Sequence, residues 1–328
     1  MSTPAVLWTS LALAAVSALG TWLTLRYARR RLLDLPGERR SHTVPTPRGG
    51  GLGIVVALLA AVAVAAWQSM YPAPMLAGFA AGLLLVAGIG WIDDHRPLSP
   101  WLRLGVQGLA GIVLAAGFHF TGLPWPAVLL ALVAVPVLVN VWNFMDGING
   151  LAASQAAIAA AGLALLAAPA LAPACLALAA ACTGFLPFNF PRARIFLGDV
   201  GSGALGFVLA ALAVPVAMGM RDVGHSLLVL LPLSAFLVDA SLTLVRRMLA
   251  GERWWLPHVT HLYQVWVRAG RTHAFVTSVY GTFSITAVIV SLQLHGIEPW
   301  PAAGGALGWL AVSGLGWLVL RRLVQRPP

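Results

Sequence analysis

The sequence predicts an all-α integral membrane protein with about 11 transmembrane helices, and three observations support this fold class. First, 59% of the 328 residues are hydrophobic and only 9% are charged, whereas average soluble domains carry about 25% charged residues. Second, the apolar residues form runs close to the roughly 20 residues of a spanning helix. Third, the runs lack period-2 alternation, which disfavours a β-barrel. We expect one polytopic domain over residues 1–328.

The apolar runs follow one another with short connections. The first is interpreted as a transmembrane helix and not a cleaved signal peptide, because its basic cluster follows the apolar run. Cys175 and Cys182 would lie about 10 Å apart on one helix, too far for a disulfide, and are interpreted as packing residues. The Ala-rich pair over 148–187 is the least clearly divided. The runs lie near 5–25, 50–70, 75–92, 101–118, 125–143, 148–167, 170–187, 201–220, 225–245, 274–294 and 301–320.

The arginines predict the orientation of the chain, which has no lysine. With the N-terminus outside, 19 of the 20 arginines fall on one side and only Arg221 falls on the other. Basic loops are kept on the cytoplasmic side, so the C-terminus and the polar loops are predicted to be cytoplasmic. The net charge of +10 is then interpreted as attraction to anionic membrane lipids and anionic substrates, not to nucleic acid.

The first two cytoplasmic loops carry a Pro/Gly segment and an acidic pair. Residues 39–51 hold His42 and Arg48 on an irregular backbone whose free N–H groups would suit an anion; the alternative is a plain basic loop. Asp93 and Asp94 end the third helix, where adjacent carboxylates are costly without a cation or a base. The alternative is a helix cap, but the macrodipole disfavours acids at a helix C-terminus, which favours function.

The next two loops combine amides with carboxylates. Asn143 and Asp146 lie one helical turn apart and suit a hard cation; the alternative is a polar hairpin. Asp199 precedes a glycine-rich helix start and could be a simple cap. Residues 201–206 match G-x-G-x-x-G, but no strand precedes them, so the glycines are expected to allow close helix packing instead.

The last cytoplasmic loop holds His258 and His261, which could share one helical face. No zinc motif surrounds them, so imidazoles near phosphate are one interpretation and an aromatic interfacial belt with incidental histidines is the other. Asp239 lies within the ninth helix, where an ionisable residue is a functional or pairing candidate, most simply as the partner of a nearby arginine.

Together these loops supply acids, amides, histidines and arginines beside lipid. Phosphoryl transfer needs a divalent ion held by carboxylates, and positive groups that spread phosphate charge. The membrane location suggests that one substrate is a lipid.

The same loops resemble the polyprenyl-phosphate N-acetylhexosamine-1-phosphate transferases of glycosyltransferase family 4, in order and over essentially the whole chain. The histidine segment and the Pro/Gly loop look closer to enzymes that initiate O-antigen or related surface glycans. The motifs that carry the resemblance are Ser41–Gly50, Asp93-Asp94, Asn143–Gly147, Phe196–Ser202 and His258–Gln264.

The resemblance implies a transferase that uses Mg²⁺, for which Mn²⁺ can substitute. It would move a sugar-1-phosphate from a UDP-N-acetylamino sugar (UDP-GlcNAc or a UDP-6-deoxy-N-acetylhexosamine) to polyprenyl (undecaprenyl) phosphate and release UMP. This would be the first membrane step of O-antigen, lipopolysaccharide or other surface polysaccharide synthesis, at the bacterial cytoplasmic (inner) membrane. Direct attack and an aspartyl-phosphate route both stay open, as does the oligomeric state, with a homodimer among the options.

The resemblance also assigns site residues. Asp199 matches the metal ligand, Phe196 a position that stacks on uracil, and Asn189 the uridine pocket. Family members commonly carry Asp at the position of Asn149, and an amide cannot act as a base, so a carboxylate role does not transfer to this residue. The implied catalytic residues are Asp93, Asp94 and Asp146, and the implied substrate-binding residues are His42, Arg48, Asn143, Asn149, Asn189, Phe196, His258 and His261.

Two other classes of protein remain as alternatives. A transporter or flippase would keep ionisable groups near the membrane midplane, often on broken helices, and here Asp239 is the sole intramembrane acid predicted. A catalytically inactive relative would keep the fold and bind substrate. Exchange of labelled UMP into UDP-sugar separates an enzyme from both.

Overall fold

The computed structural model describes residues 3–35, 37, 44–253, 255–256 and 258–325. It is nearly all helical, as predicted. A two-residue antiparallel ribbon, β1 (Leu33–Asp34) with β2 (Thr46–Pro47), is the one β element among these residues and was not predicted. The helices are α1 Thr3–Arg31, α2 Leu52–Trp67, α3 Ala73–His95, α4 Pro100–Phe120, α5 Trp125–Phe144, α6 Leu151–Leu166, α7 Ala172–Asn189, α8 Asp199–Met218, α9 Val223–Ser226, a 3₁₀ turn Leu227–Leu230, α10 Ser234–Leu249, α11 Leu262–Arg268, α12 His273–His295 and α13 Pro299–Gln325.

The number of spans differs from the prediction. Within the described residues, 8 helices are long and apolar enough to cross a membrane, and a pair bent by 79°, Val223–Leu230 with Ser234–Leu249, makes up to 9. The predicted 11 spans are therefore not confirmed. The runs near 50–70 and 148–167 become α2 and α6, each 16 residues long. At 1.5 Å per residue such a helix is about 24 Å long, short of the roughly 30 Å hydrocarbon core, because the ends of both runs form turns.

Helix α8 is the centre of the bundle, with every residue from Val200 to Val216 buried. It packs against α3, α5 and α6. Glycines make this close approach possible: a Cβ atom at Gly51 would overlap the Gly201 backbone, one at Gly206 would overlap the Leu138 backbone, and one at Gly90 would overlap the Asp199 backbone. The packing role predicted for the glycine run at the start of α8 is confirmed.

The outer helices carry the apolar surface. Trp8 on α1 is 69% exposed and Leu315 on α13 is 63% exposed, as expected for side chains that contact lipid. Cys175 and Cys182 are both buried and unbridged, which confirms that they are packing residues.

The loop before α2 and the loop before α8 are joined by backbone hydrogen bonds. Phe196 N–H donates to the Pro47 carbonyl at 2.8 Å, Gly50 N–H to the Phe196 carbonyl at 2.9 Å, and Gly51 N–H to the Leu197 carbonyl at 2.8 Å. The expectation that this Pro/Gly loop offers free N–H groups to an anion is therefore wrong for Gly50 and Gly51, whose donors are used to join two loops.

Two glycines on α3 provide a matched test of this packing. Gly90→Ala places a methyl group against the Asp199 backbone, whereas a Cβ at Gly88 meets nothing within 4 Å. We expect Gly90→Ala to lower the free energy of unfolding by about 1–3 kcal/mol through overpacking. Gly88→Ala should be neutral or slightly stabilising, because alanine favours helix. Thermal unfolding of the detergent-purified variants measures both, and equal midpoints would contradict the packing account.

Candidate active site

A cavity of about 540 Å³ opens where the polar loops meet. His42 lies outside the described residues, and Asp93 does not line the cavity but contacts Arg103, which does. The remaining ten of the twelve predicted site residues line the cavity, although they come from separated segments. They are Arg48, Asp94, Asn143, Asp146, Asn149, Asn189, Phe196, Asp199, His258 and His261.

Asp199 is the first residue of α8, and its carboxylate faces this cavity. Asn143 Nδ2 donates to Asp199 Oδ1 at 2.8 Å and also contacts Ser202 Oγ at 3.1 Å. The amide from the end of α5 therefore fixes the orientation of a carboxylate at the start of α8.

Arg103, on the first turn of α4, joins Asp199 to Asp93. Its Nη1 donates to Asp93 Oδ2 at 2.8 Å and to Asp199 Oδ2 at 3.4 Å. Asp93 also accepts a 2.6 Å hydrogen bond from Leu98 N–H and is only 9% exposed. Nothing in the local sequence of Arg103 distinguishes it from the other arginines predicted to be cytoplasmic, so this contact could not be predicted.

Asp94 is 1% exposed and caps a helix other than its own. Its two carboxylate oxygens accept the backbone N–H groups of Asp199 and Val200, both at 3.1 Å. Arg48 completes the arrangement, with Nε 3.6 Å from Asp94 Oδ1 and a hydrogen bond from its guanidinium to the Asp94 carbonyl. The cap considered from the sequence was on α3, where Asp94 is at the unfavourable C-terminus. Its role at the N-terminus of α8 was not predicted.

Asp146 follows α5 and differs from the other acids. No hydrogen bond or ion pair reaches its carboxylate from the described part of the chain. Burial raises the pKa of Asp146 to about 8, and the nearby negative charge of Asp94 adds to the shift. A carboxylate in this position is short of positive charge.

Two asparagines shape the wall through hydrogen bonds to backbone. Asn189 Oδ1 accepts the Gly150 N–H at 2.6 Å while its Nδ2 donates to the Ile195 carbonyl at 2.9 Å. Asn149 Nδ2 donates to the Pro191 carbonyl at 3.1 Å. An ionised aspartate could not make this last bond, so the amide at position 149 suits its surroundings.

The histidine pair is not helical. His261 is the N-cap residue of α11, and residues 258–260 lie in the irregular segment before it, so the prediction of a shared helical face is wrong. The rings are still close, with centroids 4.8 Å apart, and His261 stacks on Phe144 with centroids 6.0 Å apart. Burial lowers the pKa of His258 to about 4, assisted by His261, Arg247 and Arg246, and burial lowers the pKa of His261. Both shifts favour the uncharged form of the imidazole.

The donor set can be compared with the needs of a magnesium ion. The described residues contain no group of three or more His, Cys, Asp or Glu side chains arranged to hold a metal. Proteins usually bind Mg²⁺ through one or two carboxylates, with substrate phosphates and water completing the shell. The carboxylates of Asp199 and Asp146 fit this requirement for one or two carboxylates. Asp199 is oriented by the Asn143 amide, and Asp146 accepts no hydrogen bond from the described residues.

Comparisons with known proteins identify relatives of this chain. A family model described as glycosyl transferase family 4 matches residues 76–217. The chain is 32% identical to a decaprenyl-phosphate N-acetylglucosaminephosphotransferase of Mycobacterium tuberculosis, covering 88% of this chain and 82% of the relative. It is 26% identical to a probable undecaprenyl-phosphate N-acetylglucosaminyl 1-phosphate transferase of Bacillus subtilis, covering 79% and 77%. It is 34% identical to a phospho-N-acetylmuramoyl-pentapeptide-transferase of Synechococcus, covering 58% and 62%.

A bundle of apolar helices that gathers acids, amides and arginines around a cavity defines a multi-pass membrane enzyme of phosphosugar transfer. Within that class, the chain belongs to glycosyl transferase family 4, the polyprenyl-phosphate hexosamine-1-phosphate transferases.

The contrast between Asp94 and Asp146 can be tested by stability measurements. Asp94→Asn turns an amide NH₂ towards backbone donors at the start of α8, and we expect it to lower the free energy of unfolding by about 1–3 kcal/mol. Asp146→Asn removes a carboxylate that no hydrogen bond stabilises, so it should unfold at the same or a higher temperature than wild type at pH 8.5.

The pH dependence follows from the sign of the Asp146 shift. Its folded-state pKa of about 8 lies above the ordinary value of 3.8, so folding takes up a proton between these limits and stability falls as pH rises from about 4 to about 8. The advantage of Asp146→Asn should therefore be larger at pH 8.5 than at pH 5.5. A pH-independent difference in thermal midpoint would contradict the assignment.

Proposed function

We propose that this enzyme transfers a sugar-1-phosphate from a UDP-N-acetylamino sugar to polyprenyl phosphate and releases UMP. The observation that carries the proposal is the cavity in which Asp199, Asp146 and Asn143 face the same space as Arg48 and Arg103. Carboxylates for a cation and guanidinium groups for phosphate are what phosphoryl transfer requires.

The names of the relatives support the two substrate classes. The mycobacterial relative is named for decaprenyl phosphate and N-acetylglucosamine, and the Bacillus relative for undecaprenyl phosphate and the same sugar. We infer that undecaprenyl phosphate is the acceptor here, with UDP-GlcNAc or a UDP-6-deoxy-N-acetylhexosamine as the donor. The product would begin an O-antigen or another surface polysaccharide.

Asp199 and Asp146 would hold Mg²⁺, for which Mn²⁺ can substitute. When bound, the ion would neutralise charge on the diphosphate of the donor. Asn143 and Arg103 keep the Asp199 carboxylate in place from opposite oxygens. Asp94 contributes by holding the start of α8.

The transfer step forms one bond and breaks one. An oxygen of the lipid phosphate attacks the phosphorus attached to the sugar, and the bond from that phosphorus to the bridging oxygen breaks, so UMP leaves with that oxygen. Arg48 and Arg103 line the cavity, and their guanidinium groups would offset the negative charge of the substrate phosphates. Uncharged His258 and His261 would donate hydrogen bonds to the diphosphate, and Phe196 would stack on uracil.

We further propose that residues 1–328 form one domain in the bacterial cytoplasmic membrane, with the N-terminus outside and the cavity facing the cytoplasm. The distribution of the arginines supports this orientation, since basic loops are kept on the cytoplasmic side. UDP-sugars are water-soluble, so a cavity at the aqueous edge can receive one while the lipid approaches from the bilayer.

Two exposed arginines at opposite ends of the bundle test the orientation. Arg192→Cys lies in the loop before α8, and Arg221→Cys lies in the loop after it; the native cysteines are buried and serve as the background. In intact spheroplasts, a membrane-impermeant maleimide should label Arg221→Cys and leave Arg192→Cys unlabelled until the membrane is opened. The reverse pattern would place the cavity outside and contradict the proposal.

Labelled UMP exchange tests the reaction and the metal. Membranes containing wild type should move label from UMP into UDP-GlcNAc when lipid phosphate and Mg²⁺ are present, and EDTA should abolish exchange. Loss of an electrostatic group at a reacting centre typically costs 10²–10³ in rate, so Asp199→Asn should lower exchange by about 100-fold or more. Glu298→Gln, at the exposed residue just before α13 and away from the cavity, is the matched control with unchanged exchange. Full exchange by folded Asp199→Asn would refute the metal assignment.

A further inference from the structure

Asp239 lies within α10, is 1% exposed and holds together four helices. No arginine forms an ion pair with it in the described part of the chain, so the expected arginine partner is wrong. Its carboxylate accepts hydrogen bonds from Tyr280 OH on α12 at 2.7 Å and from Trp317 Nε1 on α13 at 2.9 Å. Thr243 Oγ1, one turn along α10, donates at 3.2 Å.

The same carboxylate caps α11. Leu262 N–H donates to Asp239 Oδ1 at 2.9 Å and Tyr263 N–H donates to Oδ2 at 3.5 Å. These are N–H groups of the first helical turn, which have no partner inside their own helix. The residue immediately before them is His261. Asp239 therefore fixes the backbone position next to this histidine and the start of α11.

The ring of His261 is oriented by its surroundings. Its Nδ1 lies 3.9 Å from Asp239 Oδ1, is shielded from solvent and has no hydrogen-bond partner. The ring is held between Phe144 and Tyr263, whose centroids each lie 6.0 Å away, and it lines the cavity. A carboxylate beside Nδ1 favours a proton on that nitrogen, and the hydrogen bond or charge at one ring nitrogen sets the role of the other.

We propose that Asp239 is a positioning residue for His261: it caps α11, keeps Nδ1 of His261 turned towards itself, and thereby leaves Nε2 for the substrate diphosphate. This rests on the proposed function, because the diphosphate is what His261 would contact. The guanidinium of Arg321 donates to the Thr260 carbonyl, beside the same histidine, and so adds a second support for the loop.

A purely structural clamp would hold the helices together without affecting how His261 acts. The two roles predict a different coupling between the effect of changing Asp239 and the effect of changing His261. If Asp239 acts through His261, removing the histidine also removes the effect of changing the aspartate, whereas independent effects multiply.

The test is a double-mutant cycle on exchange by full-length enzyme, with UDP-GlcNAc and undecaprenyl phosphate. We expect Asp239→Asn to lower kcat about tenfold while the KM for both substrates stays within about twofold, since a contact made in the transition state is weakened. In a His261→Ala background, the same change should alter kcat by less than about twofold. Thermal midpoints of all four proteins report folding separately.

Two variants that each remove one side-chain donor to Asp239 keep the test decisive if Asp239→Asn fails to fold. Trp317→Phe removes a donor to Oδ1, the oxygen beside His261, and should lower kcat about threefold only when His261 is present. Tyr280→Phe removes a donor to Oδ2 and is the matched control, with kcat within about twofold. If wild type is active and these changes lower kcat equally with and without His261, the positioning role of Asp239 is overturned and the proposed function is unaffected. If wild type shows no exchange, the proposed function itself is overturned.

Discussion

Helix N-termini placed inside a membrane protein need hydrogen-bond acceptors, and this requirement organises the site. The first N–H groups of α8 and α11 have no partner within their helices, and a buried donor left without an acceptor is costly. Asp94, from α3, bonds the start of α8, and Asp239, from α10, bonds the start of α11. Each cap fixes a residue that faces the cavity: Asp199 in one case and His261 in the other. Two buried acids thus act first as scaffold, and the chemistry depends on the positions that they set.

Glycine packing and loop pairing make this scaffold rigid. Small residues let α8 approach α3 and α5 until backbones touch, so the carboxylate of Asp199 cannot shift without moving a whole helix. The loop before α8 is held by backbone bonds to the loop before α2. Asn189 ties the α7–α8 side to the turn before α6. The wall is therefore assembled before any substrate arrives, which is the condition for electrostatic stabilisation at low reorganisation cost.

Much of the fold could be predicted because apolar run length reports membrane helices directly. That ten residues from separated motifs line one cavity could be predicted because those motifs are distinctive. The number of spans could not, since hydropathy does not reveal where a short apolar run bends into a turn, as in α2 and α6. The capping of α8 by Asp94 could not be predicted either, because its partners are 105 and 106 residues away in sequence. Arg103 looked like any cytoplasmic arginine. The histidine segment was taken as helical from spacing, while Asp239 starts the helix just after it.

Because α8 is buried on all sides, contact with the bilayer and placement of the Asp199 carboxylate depend on different helices. Lipid touches the outer helices such as α1 and α13, whose exposed side chains must follow the thickness and composition of the bilayer. Helix α8 has almost no such surface. Substitutions on the outer helices can therefore adapt the protein to bilayers of different acyl-chain length or fluidity. The surroundings of α8, and of the Asp199 carboxylate at its start, stay the same.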